Sequence, residues 1–204
     1  MKDLILNKAN EMFLKIGFKS ITMDDIAAEM GISKKTIYQH FANKNDLVEA
    51  SSMLLCEQIS GGIDVIVADE HNPIEEFFII RDFLAGILKD ESSSSLHQLQ
   101  KFYPVISNKL RDYQFEKMTT CMHENIRRGI NHGLYRENID VDFVSRIYFA
   151  GAIATKDVQL FPESSYRMES LSLQYLDYHL RSLVTPMGLD ILTKTISQIS
   201  GKKI

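Results

Sequence analysis

The sequence predicts an all-α chain in two parts, a small three-helix unit at the amino terminus that contains a helix-turn-helix and a larger helical bundle after it. Three observations carry this. Apolar residues recur at helical spacing along most of the chain, caps and stops fall between the periodic stretches, and no convincing strand pattern occurs. With 204 residues, 45% hydrophobic and 25% charged, the chain can bury a core in a small and a larger unit.

The first helix carries Leu4, Ile5, Ala9, Met12, Phe13 and Ile16 at helical spacing and is closed by Gly17. Thr22 then suits an N-cap, and Asp25, three residues on, can reach back as the acidic half of a capping box. Ile26, Ala27 and Met30 give that second helix an apolar face. Gly31 stands where a left-handed residue ends it, and Ser33 can cap a third helix beginning at Lys34. At about 100° per residue, Ile37 and Phe41 mark the buried side of the third helix. Lys35, Thr36 and Gln39 then point the opposite way, Tyr38 and His40 lie on the flanks, and Lys34 sits in the first turn. This outer face holds donors and flexible polar groups, which suit the edges of bases in a DNA major groove.

These residues, together with Phe18, Ile32, Lys44 and Leu47, make the first quarter of the chain resemble the TetR (tetracycline-repressor-like) family of bacterial transcription regulators. The resemblance implies phosphate contacts from Thr22, Tyr38, His40 and Lys44, base-edge contacts from Lys34, Lys35, Thr36 and Gln39, and Ser33 at the start of the reading helix. Asp24 is acidic where some relatives carry a basic residue, so it is left out of the contacts. The implied division is a DNA-binding domain over residues 1–46 and a ligand-binding and dimerisation domain over 47–204. A repressor released from a palindromic operator by a small-molecule effector is the implied function.

The formal net charge of −4 looks adverse for a DNA partner, but the charge is unevenly placed. Residues 1–50 hold seven Lys and seven acidic residues, and the segment 31–45 holds Lys34, Lys35 and Lys44 with no acid. Cys56 and Cys121 form no disulfide framework or CxxC site, which suits a reducing cytoplasm. Charges at Asp3, Lys8 and Glu11 interrupt any signal-peptide core, and no later apolar run is expected to span a bilayer.

Asn43 suits the N-cap of a long helix, with Asp46 as its box partner, and Gly61-Gly62 offers a point at which that helix can kink. A helix after Pro73 runs through Phe77, Phe83 and Leu88 to the polar run Glu91–Ser95, and a short helix ends before Pro104. The next helix spans Val105 to Ile130, with Gly133 beyond it. Asp140 caps a helix in which residues 143–154 carry Arg146 as the one charged side chain, so it must be covered on two sides. After the loop 161–165, Leu173, Leu176, Leu180 and Leu183 form one stripe and Leu171, Tyr175 and Tyr178 another. Phe143, Ile147, Gly151 and the leucines of the first stripe are the candidate dimer contacts, and a final helix follows Pro186-Met187-Gly188.

Candidate walls for an effector pocket are Phe83, His97, Phe102, Tyr103, Met118, Cys121 and Met122, since Met and aromatic side chains make adaptable apolar surfaces. Cys121, His123 and Glu124 are close in sequence, yet residues two apart on a helix point to different sides and no second ligand pair lies nearby. No Gly-rich phosphate loop, HExxH or GxSxG occurs, so neither an enzyme nor a cofactor or metal is expected. The competing reading is a helical adaptor whose hairpin surface binds protein.

Overall fold

The computed structural model describes residues 1–88, 93–162 and 164–201. Among them run α1 (Lys2–Ile16), α2 (Met23–Glu29), α3 (Lys34–Tyr38), α4 (Lys44–Ala68), α5 (Pro73–Ile87), α6 (Ser93–Phe102), α7 (Pro104–Asn131), α8 (Val141–Ala154), α9 (Met168–Arg181) and α10 (Pro186–Gly201). One antiparallel bridge, Tyr135 with Val184, is the only extended pairing among the described residues. Part of the polar run Glu91–Ser95, and Glu163 of the loop before α9, lie outside the described residues.

Two compact units result: residues 1–61 with 87–114, and residues 62–86 with 115–204. Helices α4 and α7 each have one end in each unit. In the first unit, Phe13, Phe18, Ile26, Ile37, Leu47 and Val48 form the centre of a core in which the Phe13 and Phe18 rings stack at 5.1 Å. The Asn10 side chain crosses this core to donate to the Ser51 carbonyl, joining α1 to α4. Leu4 and Ile16 of the expected α1 stripe are exposed, and Leu6 is buried in their place. A helical period laid over fifteen residues fixes the direction of a face better than its edges.

Helix α4 runs unbroken through Gly61-Gly62. The Phe83 ring occupies the space that a Cβ on Gly62 would need, so that glycine serves close packing rather than a kink. By length and composition, α4 is also apolar enough to cross a membrane, with a stretch of mean hydropathy 1.2 of which 17% is buried. The sequence reading missed this because it sought an uninterrupted apolar run, whereas Glu57 and Asp64 sit isolated within an apolar length. Leu47 and Val48 of the same helix are fully buried in the first unit's core.

The second unit centres on Ile74, Ile126, Leu180, Leu183 and Leu192. Beside it lies a polar network around Glu76, which is 1% exposed and therefore must be paired. Arg128 forms an ion pair with Glu76, the Asn125 amide donates to the same carboxylate at 2.7 Å, and the Tyr135 hydroxyl donates to Asn125 at 3.1 Å. Gly129 leaves room for the Tyr135 ring on α7, and burial raises the phenol's pKa so that it stays a donor.

His179 on α9 is buried against Tyr148, 4.6 Å between ring centroids, with Phe77 and Tyr175 at 6.3 Å. Its Nε2 has no hydrogen-bond partner among the described residues, and burial pushes the imidazole down from 6.5 to about 4. Between these two values the unfolded chain binds a proton that the folded chain refuses. Stability from neutral His179 is therefore complete above pH 6.5 and is lost progressively as pH falls toward 4. Urea midpoints measured across this window should drop more steeply for the wild type than for His179→Leu; parallel profiles would show that another group controls the acid transition.

Candidate nucleic-acid interface

The interface is built from the two hairpin helices and their caps. Thr22 accepts a hydrogen bond from the Asp25 backbone at 3.2 Å, and Asp25 in return accepts from the Thr22 backbone N–H at 2.8 Å and from its hydroxyl at 2.7 Å. These bonds from Thr22 hold the Asp25 carboxyl below the ordinary carboxylate range, so the box is closed throughout the neutral range. Gly31 takes φ +64° to end α2, and the Ser33 hydroxyl accepts from the Thr36 N–H at 3.1 Å to start α3. The turn is thus set by chemistry read directly from the chain.

Regular α3 ends at Tyr38, shorter than the stretch laid out from sequence. The helical bond pattern nevertheless continues, with Gln39 N–H on the Lys35 carbonyl and Phe41 N–H on the Ile37 carbonyl, both at 3.0 Å. Ile37 is fully buried and Phe41 nearly so, while Lys34, Lys35, Gln39 and His40 are exposed, Tyr38 is 45% exposed and Thr36 is partly covered. One side is pinned and the opposite side is free to read.

Charge on this face is not all free. Asp24 forms a 2.7 Å ion pair with Lys34, which raises the lysine's pKa and draws its ammonium toward α2. The same ammonium lies 5.9 Å from the centre of the Tyr38 ring. Asp24, set aside in the sequence reading, is thus a brake on Lys34. At the start of α4, Asn43 accepts from the Asp46 N–H at 3.0 Å as expected of an N-cap, and its side-chain amide donates to the Asp46 carboxylate at 3.2 Å. Lys44 is half-buried: its ammonium donates to the Lys19 carbonyl at 3.2 Å and stands over Phe13 and Tyr103. Burial lowers its pKa and nearby Asp25 acts in the opposite direction. Lys44 therefore fixes the segment that leads into Thr22.

The effector candidates are divided between the two units. His97 and Phe102 are exposed and Tyr103 packs on the first unit's core, whereas Phe83, Met118, Cys121 and Met122 belong to the second unit, where Met122 is core. None of the seven lines either of two described cavities, one of about 210 Å³ between α1 and α4 and one along α10. The sequence reading missed His179, which stands outside both apolar stripes of its helix and gave no signal of the aromatic surroundings that bury it.

The dimer candidates need correction. Leu176, Leu180 and Leu183 are 3%, 0% and 1% exposed and Leu173 packs on the same core, so this stripe is filled from within its own chain. Gly151 is also internal, because the Tyr175 ring lies where its Cβ would be and the Tyr175 hydroxyl donates to the Ile147 and Tyr148 carbonyls. Phe143 and Ile147 remain exposed at 60% and 50%, and Tyr178, from the other stripe, at 74%. Of that second stripe Leu171 is buried and Tyr175 partly so; two apolar stripes on one helix look alike in sequence, and only the neighbours choose which positions are covered. Among the described residues, no cluster of three or more His, Cys, Asp or Glu side chains could hold a metal.

Residues 5–51 match the family model described as bacterial regulatory proteins, tetR family. The transcriptional repressor KstR2 of Mycolicibacterium smegmatis is 28% identical over 153 residues, covering 71% of this chain and 72% of that protein. The match to the tetR family model covers the amino-terminal quarter of the chain, and the similarity to this repressor reaches well beyond it. The regulator IcaR of Staphylococcus aureus, which represses a biofilm operon, is 39% identical over 51 residues, 25% of this chain and 27% of its own. Among solved structures, SmeT, the repressor of a Stenotrophomonas maltophilia multidrug efflux pump, superposes with a TM-score of 0.70 at 18% identity, covering 91% of each chain. The match to TetR-family proteins thus extends in fold over most of the length, and the chain is a DNA-binding transcription regulator with the all-α architecture that the sequence predicts.

In this hairpin, releasing Lys34 should strengthen DNA binding. Asp24→Asn removes both the competing carboxylate and a like charge facing phosphate, and should raise affinity about two- to fivefold at low salt with a smaller gain at high salt. Fluorescence anisotropy with labelled duplex DNA measures this, and an unchanged affinity at every salt concentration would show that the pair does not restrain Lys34.

Proposed function

We propose that the protein is a dimeric, cytoplasmic repressor that reads a palindromic operator through Lys35, Thr36 and Gln39 and leaves it when a small-molecule effector binds. The observation that carries this is the facing of α3: Ile37 and Phe41 are buried while Lys35 and Gln39 stand exposed on the other side. An adaptor surface needs no such array of groove-sized donors and acceptors, so the protein-binding reading is not favoured. The protein acts by binding and not by catalysis, with no cofactor or metal.

On this reading residues 1–46 are the DNA-binding domain and residues 47–204 serve dimerisation and effector binding. Ser33 starts the reading helix, Thr22, Tyr38, His40 and Lys44 grip phosphates, and Lys34 joins Lys35, Thr36 and Gln39 at the base edges when Asp24 lets go. Phe83, Met118 and Cys121 are kept as effector-facing candidates. Helix α4 starts beside Lys44 and runs on to Ala68, and so is the element through which an effector can act. An effector that favours one tilt of α4 would move the two reading helices of a dimer off the spacing of successive major grooves, about 34–36 Å. Only differential affinity for the two tilts can do this.

The test of reading against gripping is sequence preference. Lys35→Ala and Gln39→Ala should each weaken binding to a selected genomic operator by about 1–3 kcal/mol and relax base preference, whereas Lys44→Ala weakens all DNA alike. Retention of both affinity and preference in Gln39→Ala would refute the facing of α3. Assembly is tested on the exposed surface: Phe143→Glu with Ile147→Glu should give folded monomers in sedimentation and lose operator affinity, while Leu180→Asp should unfold the second unit. A wild-type monomer at micromolar concentration would sink the dimer.

A further inference from the structure

Beside Lys44, to which the reading above already gives a phosphate, the first unit carries two lysines that it does not use, Lys19 and Lys101. The Lys19 ammonium lies 4.6 Å from the centre of the Phe102 ring and the Lys101 ammonium 5.6 Å from it. Lys44 stands 6.0 Å from the neighbouring Tyr103 ring and donates to the Lys19 carbonyl. Two ammoniums thus lie about one ring at the end of α6, and Lys44 is tied to the loop that carries the first of them. We propose that Lys19 and Lys101, held around Phe102 beside Lys44, form a phosphate-binding patch that carries the DNA contact beyond the helix-turn-helix to backbone flanking the base-read segment.

Three features make this patch fit a polyanion. Lys8, Lys34 and Lys109 each form an ion pair with a carboxylate, whereas among the described residues no ion pair is formed by Lys19, Lys44 or Lys101. A cation with no carboxylate partner can meet phosphate without first giving up an ion pair. The geometry is also fixed. Gln98 of α6 accepts from the Lys19 N–H at 2.9 Å and fills the space over Gly17, whose φ of +113° ends α1. Phe102 is 40% exposed, and its ring face holds both ammoniums by cation–π attraction, so less side-chain freedom is lost when phosphate arrives. The position is also right, because Lys19 lies three residues before Thr22 and is tied to Lys44.

The inference rests on the DNA-binding reading, and the experiment separates the two. Full-length wild type, Lys19→Ala/Lys101→Ala, Lys19→Arg/Lys101→Arg, Lys35→Ala and a Lys109→Ala control are titrated with the selected operator and with a mixed-sequence duplex, each of about four helical turns, over a range of salt concentrations, with circular dichroism confirming fold. Loss of each phosphate contact should lower the slope of log affinity against log salt by about 1, so the double alanine variant loses about 2 per protomer at unchanged sequence preference. The arginine pair should restore the slope, and Lys109→Ala should leave it as in the wild type. If the double alanine variant keeps the wild-type slope while Lys35→Ala still weakens binding, the patch is refuted and the DNA reading stands. If no variant and no wild type shows salt-dependent binding, both fall. Calorimetric binding of inorganic phosphate that depends on Lys101, with an unchanged DNA slope, would assign the patch to a free anion and overturn the proposal.

Discussion

A helix of five residues has no stability of its own, because nucleating its first turn costs more than its few hydrogen bonds return. The orientation of α3 therefore depends on Ile37 and Phe41 being driven into the core made by α1, α2 and the start of α4. That burial is hydrophobic and non-directional, and the Ser33 cap and the left-handed Gly31 supply the direction. Everything the hairpin presents to DNA follows from which two side chains are hidden.

Electrostatics then distributes what the packing has exposed. A chain with a net charge of −4 can bind a polyanion because its acids and lysines are sorted locally. Within the first unit the sorting has two forms. Lys8, Lys34 and Lys109 are answered by carboxylates, whereas Lys44 is held by a backbone carbonyl and aromatic rings, which orient it without neutralising it. The second unit treats charge differently: the Glu76 carboxylate is enclosed and answered by Arg128 and Asn125, and breaking such a network leaves a buried charge alone. Polar groups there specify how α5 and α7 meet.

The caps and turns were legible because their chemistry is local. Thr22 with Asp25, Gly31, Ser33, Asn43 and Asp140 each act within a few residues of their own position, and each forms the bond its spacing implies. The inward placement of Ile37 and Phe41 was legible for the same reason, since their helix has one apolar side. The effector candidates were not legible to this degree. Met and aromatic residues at helical spacing are written alike whether they line a cavity or fill a core, and Met122 fills a core.

What the sequence determined by itself is the order and type of the elements, the start and end of the hairpin helices, and the reading face of α3, because periodicity, caps and turn glycines are properties of neighbouring residues. What only the tertiary structure decided is which positions of the two apolar stripes on α9 are covered, why Gly62 and Gly151 are glycines, and where charges find partners. Those depend on Phe83, Tyr175 and Asp24, side chains brought close by the fold of the chain. The stripe of Leu176, Leu180 and Leu183 could have faced either way by composition; it faces inward because Ile74, Ile126 and Leu192 close over it, and burial of apolar area goes to whichever side finds apolar neighbours.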